Sequence, residues 1–278
     1  MSRPECIGPP ELYYNEDQAA KYSRNSHIIG IQRQMTERAV ELLAIPDNET
    51  PRLILDIGCG SGLSGEMLTD MGYYWIGVDI SEAMLKVATE DREVKGDILL
   101  HDMGVGLPFR PGTFDGAISI SALQWLCHAN SKDQNPRRRL LCFFQSLYAC
   151  LSRGSRAALQ FYPETIDQSE LITTQAMKAG FTGGLVIDYP HSSKAKKVYL
   201  VLMVGGLQQL PKSLTEDKNT DHISNIERRS WKNKKRGKRV VVKRSRDWIE
   251  SKKERARKRG KDVCASSKYT GRKRRRFV

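Results

Sequence analysis

The sequence lacks any long apolar run. No stretch of about 18 or more consecutive apolar residues occurs, so we expect no transmembrane helix and no membrane partner. The first segment, Met1–Asp17, also lacks the apolar core of a secretory signal. These absences argue against the membrane and secreted classes of protein.

Spaced metal-ligand and redox motifs are missing as well. The six cysteines are dispersed with no C-x-x-C pair, which argues against a zinc ribbon or a thioredoxin-type site. The five histidines form no spaced cluster, so we expect no metal in this chain. Most of the cysteines lie in apolar segments, where a small buried thiol in a reducing compartment is the ordinary interpretation.

Acidic residues are scarce in one part of the chain only. The 278 residues include 46 Lys and Arg against 32 Asp and Glu, a net charge of +14. Residues 212–278 contain 26 basic and 8 acidic residues, a net of +18, which leaves residues 1–211 at −4. This asymmetry excludes a uniformly basic, histone-like protein and predicts a globular body followed by a basic tail.

The basic tail has two compatible interpretations. Trp231–Arg239 and Gly271–Arg276 are dense enough in Lys and Arg for nuclear localisation and for contact with RNA phosphates. We expect residues 207–226 to form a linker and residues 227–278 to be largely disordered, with helical periodicity only around 245–259. If RNA is the partner, its attraction to the slightly acidic body depends on Arg137–Arg139, on the tail or on a larger assembly.

Strands and helices alternate along the body of the chain. Two helical segments come first, one with Asp17 as its expected N-cap and one over residues 26–43. Alternation from Arg52 onward predicts an α/β fold with a mostly parallel, seven-stranded sheet and helices on both faces. The strands are predicted at residues 52–57, 74–79, 97–100, 114–121, 156–162, 183–188 and 198–204.

The first of these strands leads into a glycine-rich turn, with the sequence DIGCGSG over residues 56–62. A strand, a glycine-rich turn and a helix are typical of a nucleotide-cofactor site, because glycine lets the backbone approach the ligand without a Cβ clash. The turn does not have the G-x-x-x-x-G-K-[ST] signature of a phosphate-binding P-loop. Leu63 stands where a dinucleotide-binding turn has its third glycine, so a dinucleotide is also disfavoured.

Two acidic residues follow the next two predicted strands. Asp79 ends the second strand, about 20 residues beyond the glycine turn, where a carboxylate can accept both ribose hydroxyls of a nucleotide. Asp102 follows the third strand, where a carboxylate can take an adenine amino group. Together with Asp56 and the glycines, they make a far more specific pattern than the turn alone.

This pattern resembles the class I S-adenosylmethionine-dependent methyltransferases, which have a Rossmann-like fold. The resemblance implies S-adenosylmethionine as cofactor, with the glycine turn against its amino-acid end. Leu107–Trp125 is similar to the family's fourth-strand region, where substrate and methyl group meet. The alternative is a Rossmann-like domain that has lost its cofactor. The implied cofactor-binding positions are Asp56, Gly58, Cys59, Gly60, Gly62, Asp79, Ile80, Asp102 and Met103.

A closer resemblance extends over nearly the whole chain. Residues 9–32, 118–130, 171–190 and 267–278 are similar to the eukaryotic small-subunit rRNA guanine-N7 methyltransferases. This resemblance implies a pre-ribosomal RNA substrate and residence in the nucleus, nucleolus and nucleoplasm, with the cytoplasm as a further compartment. It also implies a heterodimer with the small zinc-binding activator subunit that several methyltransferases share.

The resemblance further assigns a lid and a substrate pocket. Residues 1–45 are similar to an N-terminal lid, with Tyr14 and Tyr22 over the cofactor, and residues 46–206 to the catalytic domain. Ordinary helix packing is the alternative for both tyrosines. The candidates for the substrate pocket are Ser121, Gln124, Trp125 and Tyr162, the last of which ends the fifth strand and is expected to face the pocket.

Two of these candidates have an equally simple structural interpretation. A base can stack on Trp125, or Trp125 can anchor the following helix in the core. Gln124 can bond a guanine edge, but a solvated helix position is the more ordinary interpretation. Both alternatives remain open from the sequence.

The fourth-strand region lacks the motifs of other base methyltransferases. Ser119–Ala122 stands where enzymes that methylate exocyclic amines have N/D-P-P-Y/F, and no Pro-Cys pair of the pyrimidine-C5 type occurs. Guanine N7 carries a free lone pair and no proton, so its methylation needs no general base. We therefore expect in-line transfer that depends on positioning and on exclusion of water rather than on an acid or base residue.

The third strand, Asp97–Leu100, should lie at the edge of the sheet in this family's strand order. An apolar edge strand invites association, and the resemblance implies that the activator adds a strand there. Two other functions remain as alternatives. One is a methyltransferase of the same fold that acts on a protein or small molecule, and the other is a pre-ribosome assembly factor whose methylation is dispensable.

Overall fold

In the computed structural model of the chain, the described residues are 3–46, 50–129, 134–192, 195–206, 210–214, 249–250, 252–253, 257 and 263–267. The chain divides into two compact units, Met1–Glu227 and Arg228–Val278. In the second unit the backbone is helical at residues 249, 250, 252, 253 and 257, inside the segment of helical periodicity. Most of the predicted linker, most of the tail and both of its densest basic segments lie outside the described residues.

Seven strands form one sheet in the first unit, in the order β3-β2-β1-β4-β5-β7-β6. The first five strands in this order are parallel to one another, and β7 runs antiparallel to both β5 and β6. The predicted mostly parallel, seven-stranded fold is confirmed. The strands are β1 Leu53–Ile57, β2 Tyr74–Asp79, β3 Asp97–Leu100, β4 Phe114–Ile120, β5 Leu151–Phe161, β6 Thr182–Asp188 and β7 Lys197–Met203.

Chain order reverses between β1 and β4, which are neighbours at the centre of the sheet. In an open parallel sheet such a reversal opens a crevice at the carboxyl ends of the strands, because successive connections leave to opposite faces. The turn after β1 and the turn after β4 both meet at this crevice. The topology therefore places the glycine turn where a ligand is expected.

Helices cover both faces of the sheet. They are α1 Pro10–Tyr13, α2 Glu16–Arg24, α3 Ser26–Leu43, α4 Leu63–Asp70, α5 Glu82–Lys86, α6 Pro136–Cys150 and α7 Ile166–Lys178. Phe143 of α6 and Ile172 of α7 are fully buried against one face, and Ala39 and Leu42 of α3 against the other. No helix in the described ranges is both long enough and apolar enough to span a membrane.

The helix α3 packs on the sheet, although the resemblance assigns residues 1–45, which include it, to the lid. Its buried residues Met35, Ala39 and Leu42 join a cluster that includes Ile54 of β1 and Ile118 of β4. The buried apolar residues of α3 thus cover a sheet face. Gln32 of the same helix lines the cavity at the carboxyl ends of the strands, so α3 also contributes to the site.

Two predicted boundaries are wrong by more than one residue. The N-cap of α2 is Asn15, whose side-chain oxygen accepts from the Gln18 amide at 3.0 Å, and Asp17 lies within the first turn. The strand β5 begins at Leu151 rather than Arg156, because Leu151 pairs with Phe114 beyond a shift in the register of β4 and β5. Neither change moves the carboxyl ends of the strands, where the candidate site lies.

Candidate functional site

The main cavity lies at the carboxyl ends of β1, β2, β3 and β4, beneath the N-terminal helices. Most of the predicted site residues line it. From the glycine turn and the next two strands these are Gly58, Cys59, Gly60, Asp79, Ile80, Asp102 and Met103, and from the lid and the fourth-strand region they are Tyr14, Tyr22, Ser121 and Trp125. The fold thus gathers residues from five separate segments around one space.

The glycine turn has a backbone that other residues rarely adopt. Gly58, Gly60 and Gly62 have φ values of +72°, +53° and +80°. A Cβ on Gly58 would collide with the Cβ of Ala122 after β4, and a Cβ on Gly62 would lie 2.6 Å from Val94 Cγ1. Gly58 therefore keeps the floor of the cavity clear. Gly62 lies outside the cavity lining, and its lack of a Cβ lets α4 begin close to Val94 and Ala88.

Asp56 lies beneath the turn rather than in the cavity lining. It is fully buried, and its Oδ2 accepts a 2.5 Å hydrogen bond from Ser64 Oγ at the start of α4. Burial raises the pKa of Asp56 to about 7, the Ser64 hydrogen bond lowers it, and the nearby Asp79 carboxylate raises it further. Its Oδ1 has no hydrogen-bond partner among the described residues, so one buried acceptor remains beside the turn.

Asp79 links the glycine turn to the second strand. Its Oδ2 accepts from the Gly60 amide at 2.9 Å and its Oδ1 from the Ser81 amide at 2.8 Å. Burial raises the pKa of Asp79, and hydrogen bonds from the amides of Ser81, Gly60 and Ile80 oppose that rise. The three amides use three of the roughly four lone-pair positions of the carboxylate, so Asp79 can still accept a ribose hydroxyl in the cavity.

Asp102 is held by Arg139, a member of the basic cluster Arg137–Arg139. Arg139 Nη2, from α6, donates to both carboxylate oxygens of Asp102 at 2.7 and 2.8 Å. The Gly104 amide donates to Oδ1 at 2.8 Å. Arg139 also lines the cavity. Its hydrogen bonds orient the carboxylate of Asp102, so its charge is neutralised at this site rather than available for long-range attraction of RNA. Arg137 and Arg138 are the exposed members of that cluster.

Aromatic side chains form the roof. The ring of Tyr14 packs 6.0 Å from Tyr22 and 5.9 Å from Trp125, measured between ring centroids. Ser81 Oγ donates to the Tyr14 carbonyl at 2.9 Å, which joins the lid to the end of β2. Burial raises the pKa of Tyr22 to about 12 and that of Tyr14 further, so both hydroxyls are neutral donors near pH 7.

A polar network lies at the end of β4. Ser121 has a strained φ of +59°, and its Oγ donates to Gln160 Oε1 of β5 at 2.8 Å. Gln124 Nε2 donates to the Ser121 carbonyl at 2.8 Å. Gln124 Oε1 and Gln160 Nε2 are buried and have no hydrogen-bond partner among the described residues. Strain and spare polar atoms next to a cavity are typical of a binding site rather than of a relaxed core.

Two of the substrate candidates are placed differently from expectation. Gln124 is only 5% exposed, so its interpretation as a solvated helix residue is wrong; the turn Leu123–Cys127 is a tight one that packs inward. Tyr162 lies outside the cavity lining. Its hydroxyl donates to Met35 Sδ at 3.3 Å, and Lys197 Nζ lies 5.2 Å from its ring centroid. The side chain is thereby held toward α3 and β7.

Trp125 lies between the N-terminal segment and the cavity. It is 7% exposed, and its ring packs 6.0 Å from Tyr13 as well as against Tyr14, so it anchors the lid. It also lines the cavity. Stacking of a base on Trp125 stays a prediction, as do the individual roles of the other site residues.

Comparison with known proteins identifies the family. A model described as "Methyltransferase domain" matches residues 55–157, and one described as "Methyltransferase involved in Williams-Beuren syndrome" matches residues 202–276. An 18S rRNA (guanine-N(7))-methyltransferase of Mus musculus is 57% identical over 98% of this chain and 96% of its own length. This chain belongs to the 18S rRNA (guanine-N7)-methyltransferase family.

Other family members come from distant eukaryotes. The 18S rRNA (guanine-N(7))-methyltransferase of Arabidopsis thaliana is 52% identical, over 99% of this chain and 98% of its own. The 18S rRNA (guanine(1575)-N(7))-methyltransferase of Saccharomyces cerevisiae is 46% identical, over 99% of each chain. The resemblance stated from the sequence is confirmed.

A solved structure supports the fold independently. Magnesium protoporphyrin IX methyltransferase from Synechocystis has a TM-score of 0.54 and 17% identity, and the match covers 74% of this chain and 99% of that chain. In this member of the guanine-N7 family, the Rossmann-like methyltransferase fold predicted from the sequence is therefore confirmed.

Proposed function

We propose that this protein transfers the methyl group of S-adenosylmethionine to N7 of a guanine in small-subunit rRNA during ribosome biogenesis. The observation that carries the proposal is near-full-length identity of 46–57% to 18S rRNA (guanine-N7)-methyltransferases from animals, plants and fungi. The cavity adds a physical reason, because it has the glycine turn and the two acids that the cofactor requires.

The cofactor fits the residues that line the cavity. Glycine at position 58 leaves open the space beside the turn that a Cβ would fill, and the remaining lone pair of Asp79 suits a ribose hydroxyl. Ile80 and Met103 supply apolar surface for an adenine, with Asp102 oriented by Arg139 beside them. When bound, S-adenosylmethionine supplies an electrophilic methyl group on a sulfonium.

The chain's own residues position and enclose the cofactor and the substrate, and they are not required to transfer a proton. Asp79 and Asp102 both accept hydrogen bonds from neighbouring groups, and the His101 Nε2 atom is hydrogen-bonded to the Gly106 carbonyl at 2.5 Å. Guanine N7 has no proton to remove, so a cavity in which Asp79, His101 and Asp102 are occupied in this way still suits it. The roof of Tyr14, Tyr22 and Trp125 excludes water from the reacting atoms.

A transfer assay tests the proposal. The full chain is incubated with methyl-labelled S-adenosylmethionine and either deproteinised small-subunit rRNA or RNA-free protein extract, and the label is expected at guanine N7 of the RNA. Asp79→Ala should weaken cofactor binding by about tenfold or more, since hydrogen bonds to a charged group contribute ~1.5–3 kcal/mol. The matched control is Asp97→Ala, an exposed acid on the neighbouring strand.

The outcomes separate the alternatives. Label in protein, or label in RNA at an atom other than guanine N7, would contradict the proposed reaction. Equal labelling by the Asp79 and Asp97 variants would contradict the assignment of the cavity. If Asp79→Ala abolishes labelling but still supports ribosome production in cells, binding to the pre-ribosome is the more important role.

A small activator subunit is the proposed partner, and the edge of the sheet supports it. The edge strand β3 has an exposed backbone edge, and Leu99 and Leu100 are 37% and 52% exposed. Val105, in the following turn, is 65% exposed. An apolar, unpaired edge of this kind is stabilised when a partner adds a strand. We infer that the zinc-binding activator shared by several methyltransferases pairs here to form a heterodimer.

Co-expression tests the partner. Full-length protein should be less soluble and should bind cofactor more weakly alone than with the activator. Leu100→Arg should reduce co-purification, whereas Ile166→Arg, on an 85% exposed residue at the start of α7, should not. Equal solubility and cofactor affinity with and without the activator would contradict the proposed heterodimer.

Residence in the nucleus, nucleolus and nucleoplasm, with the cytoplasm as a further compartment, is part of the proposal. It rests on the basic segments Trp231–Arg239 and Gly271–Arg276 of the sequence. A fluorescent fusion of the full chain should enter the nucleus, and replacement of the basic residues in both segments by Gln should retain it in the cytoplasm. Equal distribution of the two fusions would contradict this assignment.

A further inference from the structure

Three metal-ligand side chains from distant parts of the sequence meet outside the cavity. Cys6 ends the first 3₁₀ turn of the chain, His128 follows the turn Leu123–Cys127, and Glu164 follows β5. One potential ligand atom from each, a sulfur, a ring nitrogen and a carboxylate oxygen, lies within 4.8 Å of both others. None of the three residues lines the cofactor cavity, so the proposed cofactor does not account for the group.

The histidine of this group has an unmet hydrogen-bonding requirement. His128 Nε2 is buried and has no hydrogen-bond partner among the described residues. A buried ring nitrogen without a partner is costly, and a metal ion is one of the few ligands that satisfies it. Cys6 and Glu164 are exposed, so an ion can enter from solvent.

We propose that Cys6, His128 and Glu164 bind one Zn²⁺ ion. Thiolate, imidazole and carboxylate are the three donor types of zinc sites, whereas Mg²⁺ and Ca²⁺ prefer oxygen donors throughout. Zinc has four ligands in a tetrahedron, so three protein ligands leave one position for water. The Cys6 thiol loses its proton to solvent as the Zn–S bond forms, and metal affinity therefore rises with pH.

The position of the group gives the ion a mechanical role. Arg3 already joins the first turn to the end of β5, through hydrogen bonds to the Tyr162 carbonyl at 2.8 Å and the Pro163 carbonyl at 3.3 Å. A zinc ion bound to Cys6 adds a second link, from the first turn to His128 and Glu164. This link lies just before α1 and α2, and Tyr14 and Tyr22 in that region form the roof of the cavity. The ion thus fastens the base of the lid, and by linkage it also tightens cofactor binding.

Metal titration of the full-length chain tests the site. The metal-free protein should bind one equivalent of Zn²⁺, and Co²⁺ in its place should give a thiolate-to-cobalt absorption band. Cys6→Ser should abolish the band, and Glu164→Gln should weaken binding by about tenfold or more. The matched control is Cys264→Ser, another exposed cysteine, which should leave both readouts unchanged.

Two further measurements keep the result interpretable. If the chain is studied with its proposed zinc-binding activator, the Cys6→Ser complex should contain one zinc ion fewer than the wild-type complex. Zinc should also slow proteolytic cleavage in residues 1–24 of the wild type but not of the Glu164→Gln variant, whose substitution is on the surface. Equal zinc content and affinity in wild type, Cys6→Ser and Glu164→Gln would overturn the proposal.

Discussion

Replacement of Gly58 by alanine tests the glycine turn most sharply. Two costs follow from the structure. A left-handed residue with a Cβ costs ~1–2 kcal/mol, and Gly58 has a φ of +72°. The new Cβ also collides with Ala122 Cβ, which must retreat by about 1 Å to restore an ordinary carbon–carbon contact; such overpacking costs ~1–3 kcal/mol. We expect the free energy of unfolding to fall by about 2–5 kcal/mol.

The same displacement should damage the site specifically. Ala122 lies between Ser121, which lines the cavity, and the turn that contains Trp125, so its retreat shifts the floor of the cavity. Gly112→Ala is the matched control, because Gly112 has a similar φ of +67° but a Cβ there would meet no atom within 4 Å. The control should lose only the backbone cost of ~1–2 kcal/mol and keep its cofactor affinity.

Denaturant unfolding and calorimetric titration with S-adenosylmethionine measure both effects. The expected result is a large loss of stability and cofactor affinity for Gly58→Ala, and a small loss of stability alone for Gly112→Ala. If the two variants have the same stability and bind the cofactor equally well, the contact between the glycine turn and the end of β4 does not shape the site.

Three further predictions concern single side chains. Burial raises the pKa of Asp56 from 3.8 to about 7, so between these pH values the folded protein holds a proton that the unfolded chain lacks. Relative to Asp56→Asn, the cofactor-free wild type should therefore lose stability as pH rises from about 4 to 7, by at most ~1.4 kcal/mol per unit; parallel pH profiles would contradict the burial argument. Arg139→Ala should weaken cofactor binding several-fold by releasing Asp102 but cost only about 1 kcal/mol of stability, whereas the exposed Arg137→Ala should do neither in the same titration. Phe143→Ala should lower the free energy of unfolding by ~3–5 kcal/mol, because the ring is fully buried, and a loss under 1 kcal/mol would show that the α6 interface is loose.

The parts of the site that depend on local sequence could be predicted. A strand, a glycine turn and an acid at the end of the next strand are short-range patterns, so Gly58, Gly60 and Asp79 could be located before any fold was known. The topology follows from the alternation of strands and helices. The edge position of β3 follows from the strand order of the family that the sequence resembles, and not from the alternation itself.

The parts of the site that depend on long-range packing could not be predicted from the sequence. Arg139 reaches Asp102 only because α6 returns past the end of β3, and no spacing in the sequence encodes that approach. Gln160 lies within a strand, where its contact with Ser121 depends on the register of β4 and β5. The placement of Tyr162 outside the cavity likewise depends on contacts with α3 and β7.

The proposed metal ligands show the same limit in another way. Cys6, His128 and Glu164 are far apart in sequence and follow no ligand spacing, so no motif in the sequence indicates a metal. Only the folded chain brings them together.

A map of N7-methylguanosine in small-subunit rRNA tests the central claim most directly. The map is made by reduction and strand cleavage, from cells that lack the protein and from cells that regain wild type or Asp79→Ala. The account predicts one N7-methylguanosine that is absent without the protein, restored by wild type and not restored by Asp79→Ala. An identical map in all three cells would contradict it.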